Sequence, residues 1–330
     1  MSQAASTSGT SFASKWLSSH ISAESGQPSA VITRRQLFQG LGAATAGGVG
    51  LGGVAWAEPF RTKLTHYALT PPRWPQGLSL KLAVIADLHA CNPWMGIERI
   101  ERLVAEVNAQ QPDAVLLLGD YVAGNKLARY SQPVAKAWAG ALAGLQAPLG
   151  VHAVLGNHDW WEDRDAQRRR CGPTRAGSAL QNAGITLHEN TCLRVVKDGG
   201  AVWLAGLGDQ WAFPPARGTD FASYTGVDDL AGTLAQVSDD APIVLMAHEP
   251  DIFPSVPERV ALTVCGHTHS GQVRVFGYAP FVPSKFGNRY VYGHIVEGGR
   301  NLIVSGGLGC SGLPIRLGAP PEIVIVELGA

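Results

Sequence analysis

Seven residues of this chain can each ligate a metal, and each stands just past an apolar run. They are Asp87, His89, Asp120, Asn157, His248, His267 and His269. Asp87 and His89 belong to Asp-Leu-His, and His267 and His269 to Gly-His-Thr-His. Residues two apart on an extended chain point the same way, so each pair can turn two donors toward one ion. Asp120 follows Gly119; a carboxylate has two oxygens and can bridge two metals, and the glycine leaves room for close approach. Asn157 offers a neutral amide oxygen within Gly156-Asn157-His158-Asp159. The set suits two divalent ions that share one carboxylate. Nitrogen and oxygen donors without thiolate point to Mn, Fe or Zn and do not choose among them.

Two ions about 3.5–4 Å apart can clamp the attacking and leaving oxygens of an in-line displacement and supply hydroxide near neutral pH. The chemistry such a pair supplies is hydrolysis by metal-activated hydroxide. His158, a residue type whose unperturbed pKa is about 6.5, could ligate or act as an acid, and Asp159 could orient it. A lone histidine at a strand end is ordinarily a core or surface residue, so the weight lies in the set. Of the ten histidines only His20 precedes residue 58, and five of the other nine fall in these motifs.

The elements that must position these groups alternate. Apolar runs at 80–86, 114–118 and 151–155 read as buried strands. Ile97, Ile100, Leu103, Val104 and Val107 fall at helical spacing, and a second helix is expected over 132–145. That alternation is the pattern of an α/β sheet with crossover helices. Further strands are expected at 192–196, 202–207, 243–247, 262–265, 290–292, 302–305 and 323–327, with helices ending near 178–183 and spanning 228–237. In open α/β sheets ligands bind beyond the carboxyl ends of strands, where the seven residues stand. The stretch 162–177 is irregular and is the expected mobile loop.

Taken in order, Asp87-Leu-His89, Gly119-Asp120, Gly156-Asn157-His158-Asp159, His248 and Gly266-His267-Thr-His269 resemble the calcineurin-like metallophosphoesterase superfamily. The resemblance covers roughly residues 75–330. The stretches 266–273 and 307–316 are similar to the bacterial, twin-arginine-exported phosphodiesterase branch. What this implies is a four-layer α/β/β/α sandwich of two mixed sheets with the metals at strand ends. It also implies that Asp87, His89, Asp120 and His269 hold one metal, and that Asp120, Asn157, His248 and His267 hold the other. His158 would face the leaving group without ligating. Tyr121 directly follows Asp120, and the acidic residue and arginine that follow this Asp in protein serine/threonine phosphatases are missing, which argues against that branch.

Residues 1–57 read as an address. Arg34-Arg35 precede a weakly apolar run at 40–54 that ends in Ala55-Trp56-Ala57, a small-x-small cleavage pattern. The arginine pair makes it resemble a twin-arginine signal, so the expected partner is that export machinery and the expected location the periplasm or the outer face of the cytoplasmic membrane. The run is shorter than the ~20 apolar residues a spanning helix needs; cleavage after Ala57 and retention as a marginal anchor both stand. Residues 58–330 then form one metallophosphoesterase domain.

The composition, 45% hydrophobic and 16% charged, supports a packed core and excludes a disordered chain. Zero formal net charge argues against a nucleic-acid partner, whose affinity rests on Lys and Arg. The five cysteines form no CxxC, which excludes a zinc ribbon or thioredoxin-type motif. A phosphate ester is the expected substrate, with membrane-lipid or cell-wall phosphodiesters as a refinement that brings membrane-surface contact. A non-catalytic metal-binding envelope protein is the alternative, but it would have lost ligands. Trp94, Trp160, Trp161 and Arg164 flank the motifs and are the expected lining of the substrate cleft.

Overall fold

In the computed structural model, residues 52–122, 137–215 and 221–329 are described. Most of the expected signal segment lies outside them, as does the start of the helix expected over 132–145.

The apolar runs become strands with both faces covered. In β2 (Leu80–Ile85), Leu80, Leu82 and Val84 face one core while Ala83 and Ile85 face another. Burial on both faces explains why the run is continuously apolar instead of alternating. β3 (Ala114–Leu117), β4 (Val151–Ala153) and the two-residue β5 (Thr186–Leu187) follow in parallel register beside it. The chain's last strand, β12 (Glu322–Leu328), returns between β2 and β1 (Lys63–Leu69), antiparallel to the former and parallel to the latter. The first sheet thus runs β1-β12-β2-β3-β4-β5.

A second six-stranded sheet runs β10-β11-β9-β8-β7-β6. It comprises β6 (Thr191–Lys197), β7 (Gly200–Gly206), β8 (Ile243–Met246), β9 (Val260–Cys265), β10 (Gly293–Glu297) and β11 (Arg300–Val304). Strands β7, β8, β9 and β11 are parallel, and the antiparallel hairpin partners β6 and β10 form the edges.

Leu82, Val84, Leu116 and Val326 of the first sheet share one core with Leu204, Val244, Met246 and Val264 of the second, so the sheets pack face to face. Burying one such leucine contributes roughly 1.5–3 kcal/mol. The outer face of the first sheet packs on helix Ile97–Ala109 through Ile100, Leu103, Val104 and Val107, the stripe read from the sequence. The outer face of the second is covered by Ile252, Phe253 and Tyr290, carried by short 3₁₀ turns. Both sheets are mixed, and the four-layer sandwich is the expected architecture.

Several details differ from the sequence reading. Residues 290–292 form no strand: a 3₁₀ turn, Gly287–Tyr290, ends there and β10 starts after it. The expected mobile stretch 162–177 holds a helix, Arg164–Arg169, and the first turn of another, Arg175–Asn182. Asp163 explains both, because its carboxylate accepts from the N–H groups of Asp165, Ala166 and Arg175 and so caps one helix while anchoring the start of the next. The helix expected over 228–237 is shorter, Leu230–Leu234, and is capped by Asp229.

Candidate dinuclear metal site

The two sheets bring their strand ends to one place. Asp87 and His89 follow β2, Asp120 follows β3 and Asn157 follows β4; His248 follows β8, and His267 and His269 follow β9. All seven are buried. Five of them, Asp87, His89, Asp120, His267 and His269, hold φ between +45° and +70°. Left-handed backbone at a non-glycine residue costs of order 1 kcal/mol or more and persists where surrounding structure imposes it. Here the imposed geometry is convergence on one point. The glycines make the approach close enough: a Cβ at Gly119 would lie 2.4 Å from Gly156 N, and one at Gly156 would lie 2.4 Å from Asp120 Oδ1.

The donor atoms fall into two groups. Asp87, His89, Asp120 and His269 present ligand atoms within 4.8 Å of one another. Within that group His89 Nε2 lies 3.0 Å from His269 Nε2 and 3.5 Å from Asp120 Oδ2, and His269 Nε2 lies 3.5 Å from Asp87 Oδ1. Beside it, His248 Nε2 lies 3.3 Å from Asp120 Oδ2, and His267 Nδ1 lies 2.8 Å from Asn157 Oδ1. Asp120 therefore stands between the groups with its Oδ2 shared, as a bridging carboxylate must. His248 Nε2 is buried with no hydrogen-bond partner among the described residues, and that orphaned lone pair fits a metal.

Three imidazoles are aimed by main-chain carbonyls. His89 Nδ1 lies 3.0 Å from Val122 O, His248 Nδ1 2.6 Å from Leu118 O, and His267 Nε2 2.9 Å from Pro283 O. Each contact places the proton on the outer nitrogen and leaves the inner lone pair for an ion. Burial pushes His89 down to about 4 and His267 down to about 3, and holds His269 well below the ordinary histidine value. These rings are neutral at physiological pH, as ligation requires. Burial alone would raise the Asp120 carboxyl, but its neighbours, His248 foremost, outweigh it and hold it well below the ordinary value, while Asp120 in turn raises His248.

His158 is half-buried beside this cluster. Its ring centroid is 5.1 Å from that of His89, and its Nε2 lies 3.3 Å from Ser311 Oγ. Asp159 does not orient it. The Asp159 carboxylate accepts instead from the backbone N–H groups of Gly156, Asp120, Tyr121 and Val122, at 2.9, 2.9, 3.0 and 3.3 Å. It clamps the turn carrying Asp120 to the turn carrying Asn157. The helical twist after Asn157 turns the side chain away from the imidazole, so the catalytic role expected for Asp159 gives way to a positioning role.

The expected lining residues separate. Trp160 is in the core, packed on Phe213, and lines nothing. It is one position further round the helix than Trp161, which stands 5.0 Å from the His158 ring and donates its indole N–H to Trp211 O. Trp94 borders a narrow cavity of ≈ 10 Å³ with His89, Cys91 and Cys310, space for about one water. Arg164 is exposed on the helix beyond. The sequence reading missed the rest of the wall: Tyr224 stacks on both Trp161 and Trp211, and Trp211 stands edge-on to His267 at 4.6 Å. Trp161, Tyr224 and Trp211 thus form an aromatic wall from His158 to His267.

Two other groups were missed. Glu249 lies within ligand reach of His248 and His267. Its carboxyl is close enough to that of Asp209 for the charges to repel, and Glu249 Oε1 and Asp209 Oδ2 are both buried with no hydrogen-bond partner among the described residues. Burial raises Glu249 to about 6 and Asp209 well above its ordinary value. Since Gln210 also donates to Glu249 Oε2, Asp120 and Asn157 are the better second-group donors. Arg316 is fully buried, donates to the carbonyls of Gly306, Gly307, Gly309 and Ala319, and lies 3.2 Å from His269 Nδ1. It staples the 306–319 loop behind the first group.

The chain is similar to known proteins. A metallophosphoesterase of Bacillus subtilis, YkuE, is 28% identical over 306 residues, covering 90% of this chain and 98% of that protein. The Escherichia coli protein named phosphodiesterase YaeI is 29% identical over 307 residues, covering 90% of this chain and all of that one. Among solved structures, a dimetal phosphatase from Danio rerio aligns over 69% of this chain and 88% of its own, at 12% identity and a TM-score of 0.40. The family model described as calcineurin-like phosphoesterase matches residues 80–271, a span that holds all seven ligand residues and His158. With more than half its length matched, and with the buried nitrogen and oxygen donors such a centre needs, the chain belongs to the calcineurin-like phosphoesterases.

Proposed function

We propose that this protein is an exported phosphodiesterase that cleaves phosphate diesters outside the cytoplasm. The observation carrying the reading is the placement of His158, half-buried and non-ligating, beside two converged donor groups. Asp87, His89, Asp120 and His269 would hold one divalent ion, and Asp120, Asn157, His248 and His267 the other. Bound ions supply Lewis acidity and a deprotonated water at neutral pH. Two carboxylates against two divalent ions leave a net positive centre, which attracts a phosphate and stabilises charge developing on its oxygens. His158 donates a proton to the departing oxygen, and Ser311, 3.3 Å from its Nε2, holds the ring. The wall of Trp161, Tyr224 and Trp211 excludes water from one side and packs against an apolar or planar ester group.

A diester is favoured because one face of the site is apolar and fits a second esterified substituent, and because the Escherichia coli relative is named for that activity. Export is favoured by Arg34-Arg35 and the apolar run after them, and it directs the reading to membrane-lipid or cell-wall phosphates. A non-catalytic metal-binding protein is disfavoured because all seven donors are present and converge. Metal analysis combined with a panel of mono- and diesters tests the proposal. Diesters should turn over faster than the matching monoesters in metal-loaded protein. Turnover of monoesters alone would overturn the diesterase assignment, and no turnover of any ester would overturn the enzymatic one.

A further inference from the structure

Five large apolar side chains beside the site face solvent: Val275, Phe276, Tyr278, Phe281 and Leu313. They sit on two loops held together. Arg274 N donates to Leu317 O, Leu317 N to Gln272 O, and Ser311 N to the Gln272 side chain. The same two loops carry His269 and Ser311, so this surface is the rim of the metal site.

The tip of the rim is a tight hairpin. Val275 and Tyr278 exchange both backbone hydrogen bonds, and the two central residues, Phe276 and Gly277, have φ of +50° and +85°. A turn of this hand favours Asn-Gly or Gly-Gly; phenylalanine in the left-handed region is disfavoured. Burial against the protein does not offset the cost, because Phe276 is 105% exposed, fully extended into solvent. Tyr278 and Phe281, at 61% and 68%, flank it. A strained aromatic tip with no contact of its own indicates a partner outside the fold.

The third segment on this face indicates which partner. Arg316 N donates to Ala55 O, so the helical turn at 52–57 lies along the opposite side of the 316–317 segment from Arg274. Trp56, 52% exposed, stands edge-on to Trp94 there. This turn continues directly from the apolar run at 40–54. The described chain therefore begins on the same pair of loops that carries the exposed aromatic hairpin, at the end of its apolar run. Phe, Trp and Tyr with a cation behind them, here Arg274, are the residues that settle at the boundary between headgroups and acyl chains.

We infer that the 275–281 hairpin docks on a lipid bilayer surface and sets the metal site against it, so that the substrate is a phosphodiester presented at that surface. This deepens the reading of an exported phosphodiesterase and rests on it for the substrate. The docking itself is tested without hydrolysis. Full-length protein carrying Phe276→Trp, mixed with phosphatidylglycerol–phosphatidylethanolamine vesicles containing brominated acyl chains, should lose fluorescence beyond the parent's own change. The variant Phe276→Ser/Tyr278→Ser/Leu313→Ser should sediment with plain vesicles roughly tenfold less than the parent. It should also hydrolyse a small soluble ester at the parent's rate, which shows that it is folded. Unchanged sedimentation of the triple variant would assign vesicle binding to the 40–54 run and overturn the inference, as would the absence of extra quenching at position 276. Docking with no ester turnover would leave this surface standing and remove the phosphodiesterase reading.

Discussion

The backbone N–H of His158 donates to Asp120 Oδ1 at 2.8 Å, so the proposed proton donor and the bridging carboxylate are fixed to each other through the main chain. Asp120 Oδ2 is left facing His89 and His248. One carboxylate thus sets both the donor group it faces and the position of the residue proposed to meet the leaving group. Asp159 grips the same turn from below.

That grip has a measurable consequence. Asp159→Asn puts an amide where four backbone N–H groups point, and leaving a donor unmet in a buried place costs roughly 1–3 kcal/mol. The variant should unfold at lower denaturant, bind metal more weakly, and keep the pH profile of turnover unchanged in shape. An Asp159 variant with parental stability and a shifted pH profile would return Asp159 to the role of a catalytic partner for His158.

The proposed export signal can be tested apart from the site. Arg34→Lys with Arg35→Lys should leave the protein in the cytoplasm, read by cell fractionation and immunoblotting. Normal amounts of protein outside the cytoplasm would show that the arginine pair is not what directs it.

A pair of histidines away from the site makes stability depend on pH. His152 Nδ1 lies 3.1 Å from His188 Nε2, between β4 and the end of β5. Burial first, then the His152 neighbour, pushes His188 down to about 4, and burial lowers His152 too. The unfolded chain, with histidine near 6.5, binds these protons more readily than the folded one. The stabilisation is complete above about pH 6.5 and is lost as pH falls toward 4; for His188 it is worth at most about 3 kcal/mol. His188→Asn should therefore show a smaller drop in Tm between pH 7 and pH 5 than the parent. Equal drops would show that the pair does not govern acid sensitivity.

What the sequence made legible follows from burial. β2, β3, β8 and β9 are covered on both faces, so they read as unbroken apolar runs, and the polar residue ending each run marked a candidate ligand. β1, Lys63–Leu69, is a half-exposed edge strand with a mixed pattern, and β5 has two residues, so neither left a signal. Asp159 was misread because adjacency to His158 says nothing of direction once the chain turns into a helix. Tyr224 and Trp211 are far in sequence from Trp161, and only the fold brings the three rings together. Asp209 and Glu249 meet across 40 positions, and an acid beside a histidine carries no spacing signal. Ser311 and Arg316 lay in a stretch whose resemblance was legible while their contacts with His158 and His269 were not.

The central claim is that His158 serves the leaving group while Asp120 holds metal. The most direct test is metal content by mass spectrometry alongside kcat for a series of diesters with leaving groups of graded acidity, in Asp120→Ala and His158→Asn. Asp120→Ala should lose metal and activity together. His158→Asn should keep its metal and lose roughly 10²–10⁴-fold in kcat, with the deficit shrinking as the leaving group becomes more acidic and needs less protonation. Metal loss in His158→Asn, or a deficit that stays constant across the series, would contradict the account.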